Sequence, residues 1–455
     1  LIPSVTSLVD LPVVAIGGVK TSDDFPKAIE AAGASAAAAA NIFHFKELSY
    51  PLGKKACIDA GLPMRSVGLG SRWFPRTFAY DAEAAQARIS DRLEKAAADQ
   101  DAPVAARAHS AADNPVTWCN RCVYPSISAT PMEYDDDGVC MGCRMAETEQ
   151  ALSDAEWNKR KEALYDLLDQ ARCRDGSRHD CVIPVSGGKD SYFQAHTIKE
   201  MGFNPLLVTY YGNNYTEVGQ RNLLRMKDVL GIDHIIYQPN VGLLKKLNRL
   251  GFIAMGDMNW HNHIGISTVP MRIAAQHKIP LVIWGEHGYA DICGQFSIDD
   301  FFEWTYRSRL EHMGRGFDWN FFVGLDDITA TDMACYQYPP DQEIFNLGLR
   351  GIYLSNYVHW DANKHIKLVV EKYGFEVSDM PFERTYRTMS NLDDMHENGI
   401  HDYMKFIKFG YGRCTDHAAK DIRTDKLSRG QAVDLVRKHD HVKPGDLARW
   451  LDYVN

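Results

Sequence analysis

The sequence predicts an α/β protein whose main unit is a doubly wound parallel sheet, preceded by a small metal-binding segment. Short apolar runs of strand length, such as residues 180–185 and 205–211, alternate with helical patterns, and this alternation is typical of parallel sheets. A glycine-rich loop, residues 186–191 (SGGKDS), joins one of these strands to a helix. Upstream, two C-x-x-C pairs begin at Cys119 and Cys140. The C-terminal region shows mostly helical patterns.

The composition excludes several classes of protein. The 455 residues include 45% hydrophobic and 24% charged side chains, which is ordinary globular composition, and at ~150 residues per domain this length predicts about three domains. A formal net charge of −10 offers no global attraction to nucleic acid or anionic lipid. No apolar run approaches the ~18 residues of a membrane span. We therefore expect neither a nucleic-acid partner nor a membrane partner.

The first residues do not resemble a secretion signal, and they do not resemble the N-terminus of a complete protein. The opening apolar stretch lacks a basic leader and contains Asp10, unlike a secretion signal. Most cysteines are scattered without paired spacing, as is typical of a reducing compartment, so we expect a cytoplasmic protein. The chain begins at Leu1 rather than at Met, and a strand-like run follows almost at once. We therefore expect the sequence to start inside a larger fusion.

The N-terminal region alternates strands and helices. Residues 11–19 and 34–40 predict two short strands, each followed by a helical stretch, and this βαβα order indicates a parallel sheet. Two such units are too few to close a barrel. Residues 80–101 then predict a helix, and residues 102–115 form an Ala- and Pro-containing linker, which we take as the main domain boundary.

Four cysteines have the spacing of a structural zinc site. Two C-x-x-C knuckles, separated by a segment with turn-forming Pro and Gly, place four thiolates at tetrahedral corners. Two disulfides are the alternative, but the predicted reducing compartment disfavours them. Because four thiolates leave no open coordination position, this Zn²⁺ is expected to organise structure rather than catalyse. The predicted ligands are Cys119, Cys122, Cys140 and Cys143.

After the metal segment, the α/β pattern resumes. A helix is predicted at 153–171, followed by the strand at 180–185 and the glycine-rich loop. The remaining predicted elements are strands at 205–211, 234–237 and 281–284, helices at 217–230 and 270–277, and an amphipathic helix that begins at Ser428.

The glycine-rich loop has the chemistry of a phosphate site. Paired glycines let the backbone approach a phosphate closely, and the following helix directs unpaired N–H groups and a positive dipole end towards it. Lys189 can neutralise charge, and Asp190 can help to hold Mg²⁺ against the phosphates. The spacing is not that of a Walker motif. The predicted nucleotide-binding residues are Ser186, Gly187, Gly188, Lys189, Asp190 and Ser191, with Lys189 and Asp190 as the catalytic pair.

The loop after a hydrophobic strand resembles the PP-loop of the ATP pyrophosphatase superfamily, whose members cleave ATP between the α and β phosphates. Four stretches narrow the resemblance: WCNRCVYPSISATPMEYDDDGVCMGC, PVSGGKDSYFQAHTIKEMGFNPLLVTYYGNNYTEVGQRNL, HNHIGISTVPMRIAAQHKIPLVIWGEHGYAD and KFGYGRCTDHAAKDIR. Together they resemble the N-acetyl sugar amidotransferase family, bacterial enzymes of surface-polysaccharide (lipopolysaccharide O-antigen) and nonulosonate biosynthesis. The resemblance implies conversion of an acetamido group to an acetamidino group with ATP, Mg²⁺ and ammonia.

For substrate contacts we select polar residues near predicted strand ends and turns. Two histidines precede a predicted turn at Ser267 and Thr268, and an arginine lies in the FGYGR stretch. Either of the two arginines chosen can pair with a sugar carboxylate or a nucleotide phosphate. Each residue alone has an equally ordinary structural explanation. The predicted substrate-binding residues are His261, His263, Arg272, Glu286, His287 and Arg413.

The N-terminal stretch LPVVAIGGVKTSDDFPKAIEAAGASAAAAANIFHFKELSY resembles the C-terminal quarter of the cyclase subunit of imidazole glycerol phosphate synthase, a (β/α)₈ barrel. In that family, the strand ends corresponding to Gly17, Gly18 and Asn41 bind a substrate phosphate, although Ser is commoner than Asn. The catalytic carboxylates of the family lie on earlier strands that this sequence lacks, so cyclase activity is not expected.

The two resemblances imply a domain order and a partner. Barrel subunits of this type dock a glutaminase and conduct ammonia. The one G-x-C-x-G stretch of this sequence, residues 138–142, contains the predicted zinc ligand Cys140, so we assign no glutaminase nucleophile here. We therefore expect a separate glutaminase to supply ammonia to a fusion of barrel and amidotransferase. The predicted domains are a partial barrel at 1–79, a helix and linker at 80–115, a zinc ribbon at 116–150, and a PP-loop amidotransferase domain with a helical C-terminal part at 151–455.

Two other functions remain open. PP-loop enzymes that thiolate tRNA also combine zinc knuckles with this loop, but they usually need further catalytic cysteines, whereas Cys293, Cys335 and Cys414 are isolated here. The second alternative is a non-catalytic scaffold that recruits partners through the zinc ribbon and the barrel fragment. The intact SGGKDS loop argues against it, because no structural need requires Lys, Asp and two Ser together.

Overall fold

The computed structural model describes residues 2–65, 87, 90, 91, 94, 116–128, 132–389 and 395–455. Its main feature is a six-stranded sheet in which all neighbouring strands are parallel except the last, antiparallel pair. The strands, in chain order, are β3 (Cys181–Pro184), β4 (Pro205–Tyr210), β5 (His234–Tyr237), β6 (Leu281–Trp284), β7 (Glu303–Trp304) and β8 (Arg350–Tyr353). The predicted α/β class is confirmed.

Helices connect the strands and cover both faces of the sheet. Three helices begin at side-chain caps: Ser153, Thr216 and Asn240 each accept a hydrogen bond from a backbone N–H of the first turn. The helices up to β8 are α5 (Met141–Gln150), α6 (Asp154–Ala171), α7 (Lys189–Glu200), α8 (Glu217–Leu230), α9 (Val241–Met255), α10 (Trp260–Gln276), α11 (Gly288–Cys293), α12 (Tyr306–Ser308) and α13 (Asp341–Leu347).

The C-terminal region is helical, as the sequence predicts. Ser428 caps the fourth of its five helices through a reciprocal capping box with Gln431. The helices are α14 (Ala362–Tyr373), α15 (Glu397–Phe409), α16 (Arg413–Arg423), α17 (Arg429–His439) and α18 (Asp446–Val454).

The strand order of the large sheet, β5-β4-β3-β6-β8-β7, reverses direction between β3 and β6. In doubly wound sheets, the loops that leave the carboxyl ends of strands on either side of such a switch point diverge and leave a crevice for ligands. The loop after β3 is SGGKDS, and Gly285 and Glu286 follow β6. The topology therefore brings two sequence-predicted segments to one edge of the sheet.

Alternation along the strands divides the core into two layers. Val182 and Val282 face one side, where α9, α10 and the segment after β7 pack, whereas Ile183 and Ile283 face the other, where α6, α7 and α8 pack. All four side chains are fully buried. A sheet covered on both faces explains why its strands read as continuous apolar runs.

The four-cysteine segment packs on the C-terminal helices. Isolated antiparallel bridges join Trp118 to Pro125 and Tyr134 to Cys140, and α5 begins directly after Cys140. The buried side chains around the cysteines come mainly from α16 and α17. The segment is thus built into the protein interior rather than attached as a separate arm.

The N-terminal region contains two short parallel strands, β1 (Val14–Ile16) and β2 (Ala36–Ala38), with helices α1 (Ile2–Thr6), α2 (Asp24–Glu30), α3 (Asn41–Phe45) and α4 (Ser49–Asp59). Its own core is small, centred on Phe25, Ile42 and Cys57. The region contacts the main sheet through Phe45, whose ring lies 5.6 Å from the rings of Phe296 and Phe302.

Several expectations require correction. Ser267 and Thr268 were expected to form a turn, but both lie inside α10, which continues through Pro270. Strands β7 and β8 and helix α9 were not predicted. Most of the helix and linker predicted at 80–115 lies outside the described residues. Among the described residues, no helix has the length and apolar content to cross a membrane.

Candidate active site

The SGGKDS loop has the geometry of an anion cradle. It leaves β3, and α7 begins at Lys189 with Gly188 as its N-cap. The backbone N–H of Ser186 donates to Ser191 Oγ at 3.0 Å, and the N–H of Gly188 donates to Ser186 Oγ at 3.2 Å, so the loop is closed on itself. The start of this helix, with its N–H groups and positive dipole end, is suited to bind phosphate.

Gly187 is required by the packing beneath the loop. Its φ is +90°, which favours glycine, and a Cβ at this position would lie 2.7 Å from the Cα of Leu223 on α8. We expect Gly187→Ala to lower the free energy of unfolding by about 1–3 kcal/mol through steric overlap and backbone strain. Urea denaturation checks this, with Gly176→Ala as a control for positive φ in open space.

The carboxylate of Asp190 lies between the side chains of Lys189 and His365. Lys189 Nζ lies 2.8 Å from Asp190 Oδ2, and His365 Nδ1 lies 3.2 Å from Asp190 Oδ1. Burial opposes ionisation, but Lys189 and His365 outweigh it and hold the pKa of Asp190 well below its usual value. A permanent carboxylate beside the phosphate cradle fits a Mg²⁺ ligand.

A cavity of about 410 Å³ opens over the loop, within the range of small-molecule sites. Its walls come from the SGGKDS loop, the end of β6, the start of α10, and helices α15 and α16. A second cavity of about 220 Å³ shares Lys189, Asp190, Glu286 and Arg413 with it. The two cavities therefore form one site at the switch point of the sheet.

Glu286 is the carboxyl group at the end of β6. Lys420 Nζ lies 2.5 Å from its Oε1, and Lys420 also pairs with Asp291. Burial and the nearby Asp291 raise the pKa of Glu286 to about 8, despite the opposing effect of Lys420. Glu286 is therefore able to exchange a proton near neutral pH.

The wall opposite the loop contains a histidine pair. The rings of His263 and His401 meet edge to face at 5.1 Å. His401 Nδ1 lies 2.8 Å from Asp257 Oδ1, and Arg315 pairs with the other oxygen of Asp257 at 2.6 Å. Burial, with a further contribution from His401, lowers the pKa of His263 to about 3. His263 is thus neutral and offers a hydrogen bond rather than a charge.

Two buried amides also line this cavity. Asn262 Nδ2 donates to Asn259 Oδ1 at 3.1 Å, but within the described ranges of the chain neither Asn262 Oδ1 nor Gln194 Oε1 has a hydrogen-bond partner. A buried acceptor without a partner costs free energy, so such groups indicate a position where a ligand donor binds. These two oxygens fit hydroxyl or N–H groups of a polar substrate.

The structure brings three of the six predicted substrate contacts into the site: His263, Glu286 and Arg413. His261, two residues before His263, points to the opposite side of α10, where it contacts Tyr210 Oη and Asn248 in the core. Arg272 donates to the carbonyl oxygen of Gln337 at 2.8 Å, away from both cavities.

His287 also lies outside the two site cavities. Its Nδ1 accepts a hydrogen bond from the backbone N–H of Ala290 and caps α11. Sequence reasoning did not select Lys420, Asp291, Asn262, His365 or His401, all of which the fold places around the site. The signal for Asn262 was its position between the two selected histidines, whereas His365 and Lys420 are too distant in sequence for any local pattern.

The cysteine cluster fits one tetrahedral metal ion. The four Sγ atoms lie within 4.8 Å of one another, and all four side chains are buried. Cys122 Sγ and Cys140 Sγ are 3.6 Å apart, too far for a disulfide and close to the spacing of thiolates that share one zinc ion. Backbone N–H groups of Cys122 and Cys140 donate to Cys119 Sγ, as expected for a thiolate.

Arg423 connects the cysteine cluster to the active site. Its Nη2 lies 3.6 Å from Cys140 Sγ and donates to the carbonyl oxygen of Ile292, while Nη1 donates to that of Asp291 at 2.6 Å. Arg423 ends α16, the helix that carries Arg413 and Lys420 into the site. The cluster thus fixes both the helix and the loop that follows β6.

The strand ends of the N-terminal region face the main sheet. Gly17, Gly18 and Asn41 line a cavity of about 570 Å³ together with Asp299 and Asp300, and Asn41 Nδ2 donates to Asp300 Oδ1 at 3.4 Å. This seam between the N-terminal region and the main sheet is also lined by Lys20, Lys46, Arg350 and Asp166, so its charge is mixed.

Comparisons with solved structures give distant overall similarity. The NH3-dependent NAD synthetase from Campylobacter jejuni, in complex with the nitrate ion, aligns with a TM-score of 0.24 and 15% identity over 42% of this chain and 96% of that chain. The U34-tRNA thiolase NcsA from Methanococcus maripaludis, with its 4Fe-4S cluster, aligns with a TM-score of 0.28 and 12% identity over 73% of this chain and 91% of that chain.

Comparisons by sequence are more specific but cover parts of the chain. Imidazole glycerol phosphate synthase subunit HisF from Hyphomonas neptunium is 45% identical over 67 residues, which are 15% of this chain and 27% of that relative. The chain therefore spans about a quarter of the length of the curated relatives that it matches. At the other end, residues 359–455 match the family model of the LPS biosynthesis protein WbpG-like C-terminal domain.

Proposed function

We propose that the protein is an ATP-dependent amidotransferase that converts the acetamido group of an N-acetylated sugar to an acetamidino group. One observation carries the proposal: the SGGKDS phosphate cradle opens into a cavity whose opposite wall offers neutral hydrogen-bonding groups, among them Asn262 and His263. Such a site is suited to hold a triphosphate at one end and an uncharged polar group at the other. The match of residues 359–455 to an LPS biosynthesis family supports a sugar substrate.

The phosphate end is formed by the loop. Ser186, Ser191 and the start of α7 bind the phosphates, and Lys189 neutralises the charge that develops as pyrophosphate leaves. Mg²⁺, when bound, further neutralises the phosphate oxygens, and Asp190 is the residue best placed to hold it. The contribution of the protein here is orientation and electrostatic stabilisation.

The acceptor end positions the acetamido group. Its carbonyl oxygen attacks the α-phosphorus of ATP, a new P–O bond forms, and pyrophosphate departs. Ammonia then adds to the activated carbon, and the C–O bond breaks so that AMP leaves with the former acetamido oxygen. Loss of a proton from nitrogen gives the acetamidino group. Glu286, with its raised pKa, is placed to accept that proton.

The reaction needs no covalent attachment to the protein, and the cysteines agree with this. None of the ten cysteines, all of which are among the described residues, lines either cavity of the site. Enzymes that thiolate tRNA need reactive thiols at the site of transfer, so this arrangement disfavours the sulfur-transfer alternative. We further propose that a separate glutaminase supplies the ammonia and that the reaction occurs in the cytoplasm.

A substrate panel tests the proposed function. The full chain is incubated with ATP, Mg²⁺, ammonium and a series of N-acetylated sugars and sugar nucleotides, or with unmodified tRNA, and pyrophosphate release is measured. We expect release with at least one N-acetylated sugar, together with a product in which NH has replaced O. Release with tRNA and with none of the sugars would contradict the proposal.

A further inference from the structure

A third, small cavity adjoins the active site behind Glu286. Its volume is about 60 Å³, against about 410 Å³ for the main cavity. At ~10–15 Å³ per water-sized molecule it holds a few molecules as small as water or ammonia, but no sugar or nucleotide. We call this cavity the chamber; its lining includes Glu149, Glu286, His287, Ala290 and Asp291.

The chamber is continuous with the site through shared walls. Glu286 and Trp360 line the chamber, the main cavity and the second cavity, and Glu149 and Asp291 line the chamber and the second cavity. The buried Nε1 of Trp360 has no hydrogen-bond partner in the described part of the chain. A small molecule in the chamber therefore lies next to the main cavity, where the proposed reaction occurs. Trp360, whose indole N–H lacks an acceptor among the described residues, forms part of the wall of both cavities.

The far side of the chamber borders the seam with the N-terminal region. Ser297, Ile298 and Phe302 line the chamber, whereas the three residues between Ile298 and Phe302 line the 570 Å³ seam cavity. Phe45 of α3 packs on Phe296 and Phe302 from outside. The same segment thus separates two cavities. The seam cavity is lined by both basic and acidic residues, and the chamber shares walls with the active site.

The electrostatics of the chamber suit ammonium and its free base. In their ionised forms its carboxylates can hold a small cation, and the size of the chamber excludes larger ones. Burial and the neighbouring Asp291 raise the pKa of Glu149 to about 7, and the same two causes raise that of Glu286 to about 8. Either carboxylate can take a proton from ammonium, which leaves a neutral ammonia whose nitrogen lone pair is free to attack.

We propose that the chamber is the ammonia subsite of the enzyme, in which ammonium loses a proton to Glu149 or Glu286 before it meets the activated substrate. The proposal rests on the proposed function, because only an amidation needs ammonia as the second substrate. It assigns a role to a cavity that the nucleotide and the sugar do not occupy.

The test fills the chamber through a residue that lines neither of the two larger cavities. Ala290→Leu places a larger side chain in the chamber, and Ala334→Leu makes the same change at an exposed position that lines none of the three cavities. A second variant, Glu149→Gln, keeps the size of the side chain and removes the proton acceptor. Two rates are measured on each full-length protein: sugar-dependent pyrophosphate release in ammonia-free buffer, and product formation against ammonium concentration.

We expect Ala290→Leu to raise the ammonium concentration for half-maximal product formation about tenfold or more, and to leave ammonia-free pyrophosphate release within about twofold. Glu149→Gln should lower product formation at saturating ATP and sugar by a larger factor than it lowers pyrophosphate release, and Ala334→Leu should change neither. An unchanged ammonium dependence in both chamber variants, or an equal loss of both rates, would overturn the assignment. Failure of the wild-type protein to release pyrophosphate with any N-acetylated sugar would instead refute the proposed function.

Discussion

Asp190→Ala is expected to lower turnover by roughly 10²–10³-fold while the protein remains folded. The carboxylate pairs with Lys189 and His365 at the phosphate cradle, and its lowered pKa keeps it charged at neutral pH. Removing it takes away the best-placed Mg²⁺ ligand and leaves Lys189 without its orienting partner. Steady-state pyrophosphate release under saturating substrates measures the loss, and circular dichroism monitors the fold.

The matched control removes a carboxylate far from the site. Asp228 is exposed and pairs only with its neighbour Lys227 among the ion pairs of the described residues. Asp228→Ala should retain wild-type turnover. If Asp190→Ala also retained it, the SGGKDS loop would have no part in the reaction, and the proposed mechanism would be wrong.

Cys140→Ser is expected to abolish metal binding at the cysteine cluster, lower the melting temperature and abolish most activity. Structural zinc contributes about 10–16 kcal/mol of apparent folding free energy in zinc-finger peptides, so loss of one ligand should unfold the segment around it. Arg423 would then lose its contact with the cluster, and α16 would no longer hold Lys420 against Glu286. Metal analysis, thermal unfolding and turnover measure the three effects.

Cys173→Ser serves as the control for this variant. Cys173 lies outside the cluster and is partly exposed, so the variant should keep its metal, its melting temperature and its turnover. Loss of the metal from Cys140→Ser with no change in turnover would show that the cluster does not support the active site.

Local motifs allowed much of this architecture to be predicted. The SGGKDS loop and the two C-x-x-C pairs are each formed by residues close together in the sequence, so their local geometry can be predicted from the motif alone. Strand β4 is a continuous apolar run because both of its faces are buried, and helix α8 has an N-cap at Thr216 and a C-terminal glycine at 231. These elements were predicted with nearly the observed bounds.

Other elements depend on contacts that sequence patterns do not show. Strand β7 has two residues and exists because it pairs with β8, and β8 contains Arg350 and Gly351 among its four residues. The predicted turn at Ser267 and Thr268 failed because tertiary packing buries both side chains within α10. Local propensity was overridden by burial in each case.

In the candidate site, too, some residues could be predicted from local sequence and others could not. Glu286 and Arg413 were predicted from their positions beside a strand end and a glycine-rich stretch. Lys420 and His365 were not predicted, because they meet Glu286 and Asp190 only after α14 and α16 fold over the sheet. His261 was predicted as a substrate contact, and the structure places it on the core side of α10, a helix that had not been predicted to begin at Trp260. Residues two positions apart on a helix point to different sides.

The central claim is that the acetamido oxygen of the substrate attacks the α-phosphorus of ATP in the cavity above the SGGKDS loop. Its most direct test follows a heavy-oxygen label from the acetamido group of the N-acetylated sugar identified in the panel, with mass spectrometry of both products. The proposal predicts that the label appears in AMP and is absent from the amidinated sugar. Label retained in the sugar, or AMP formed without it, would contradict the claim.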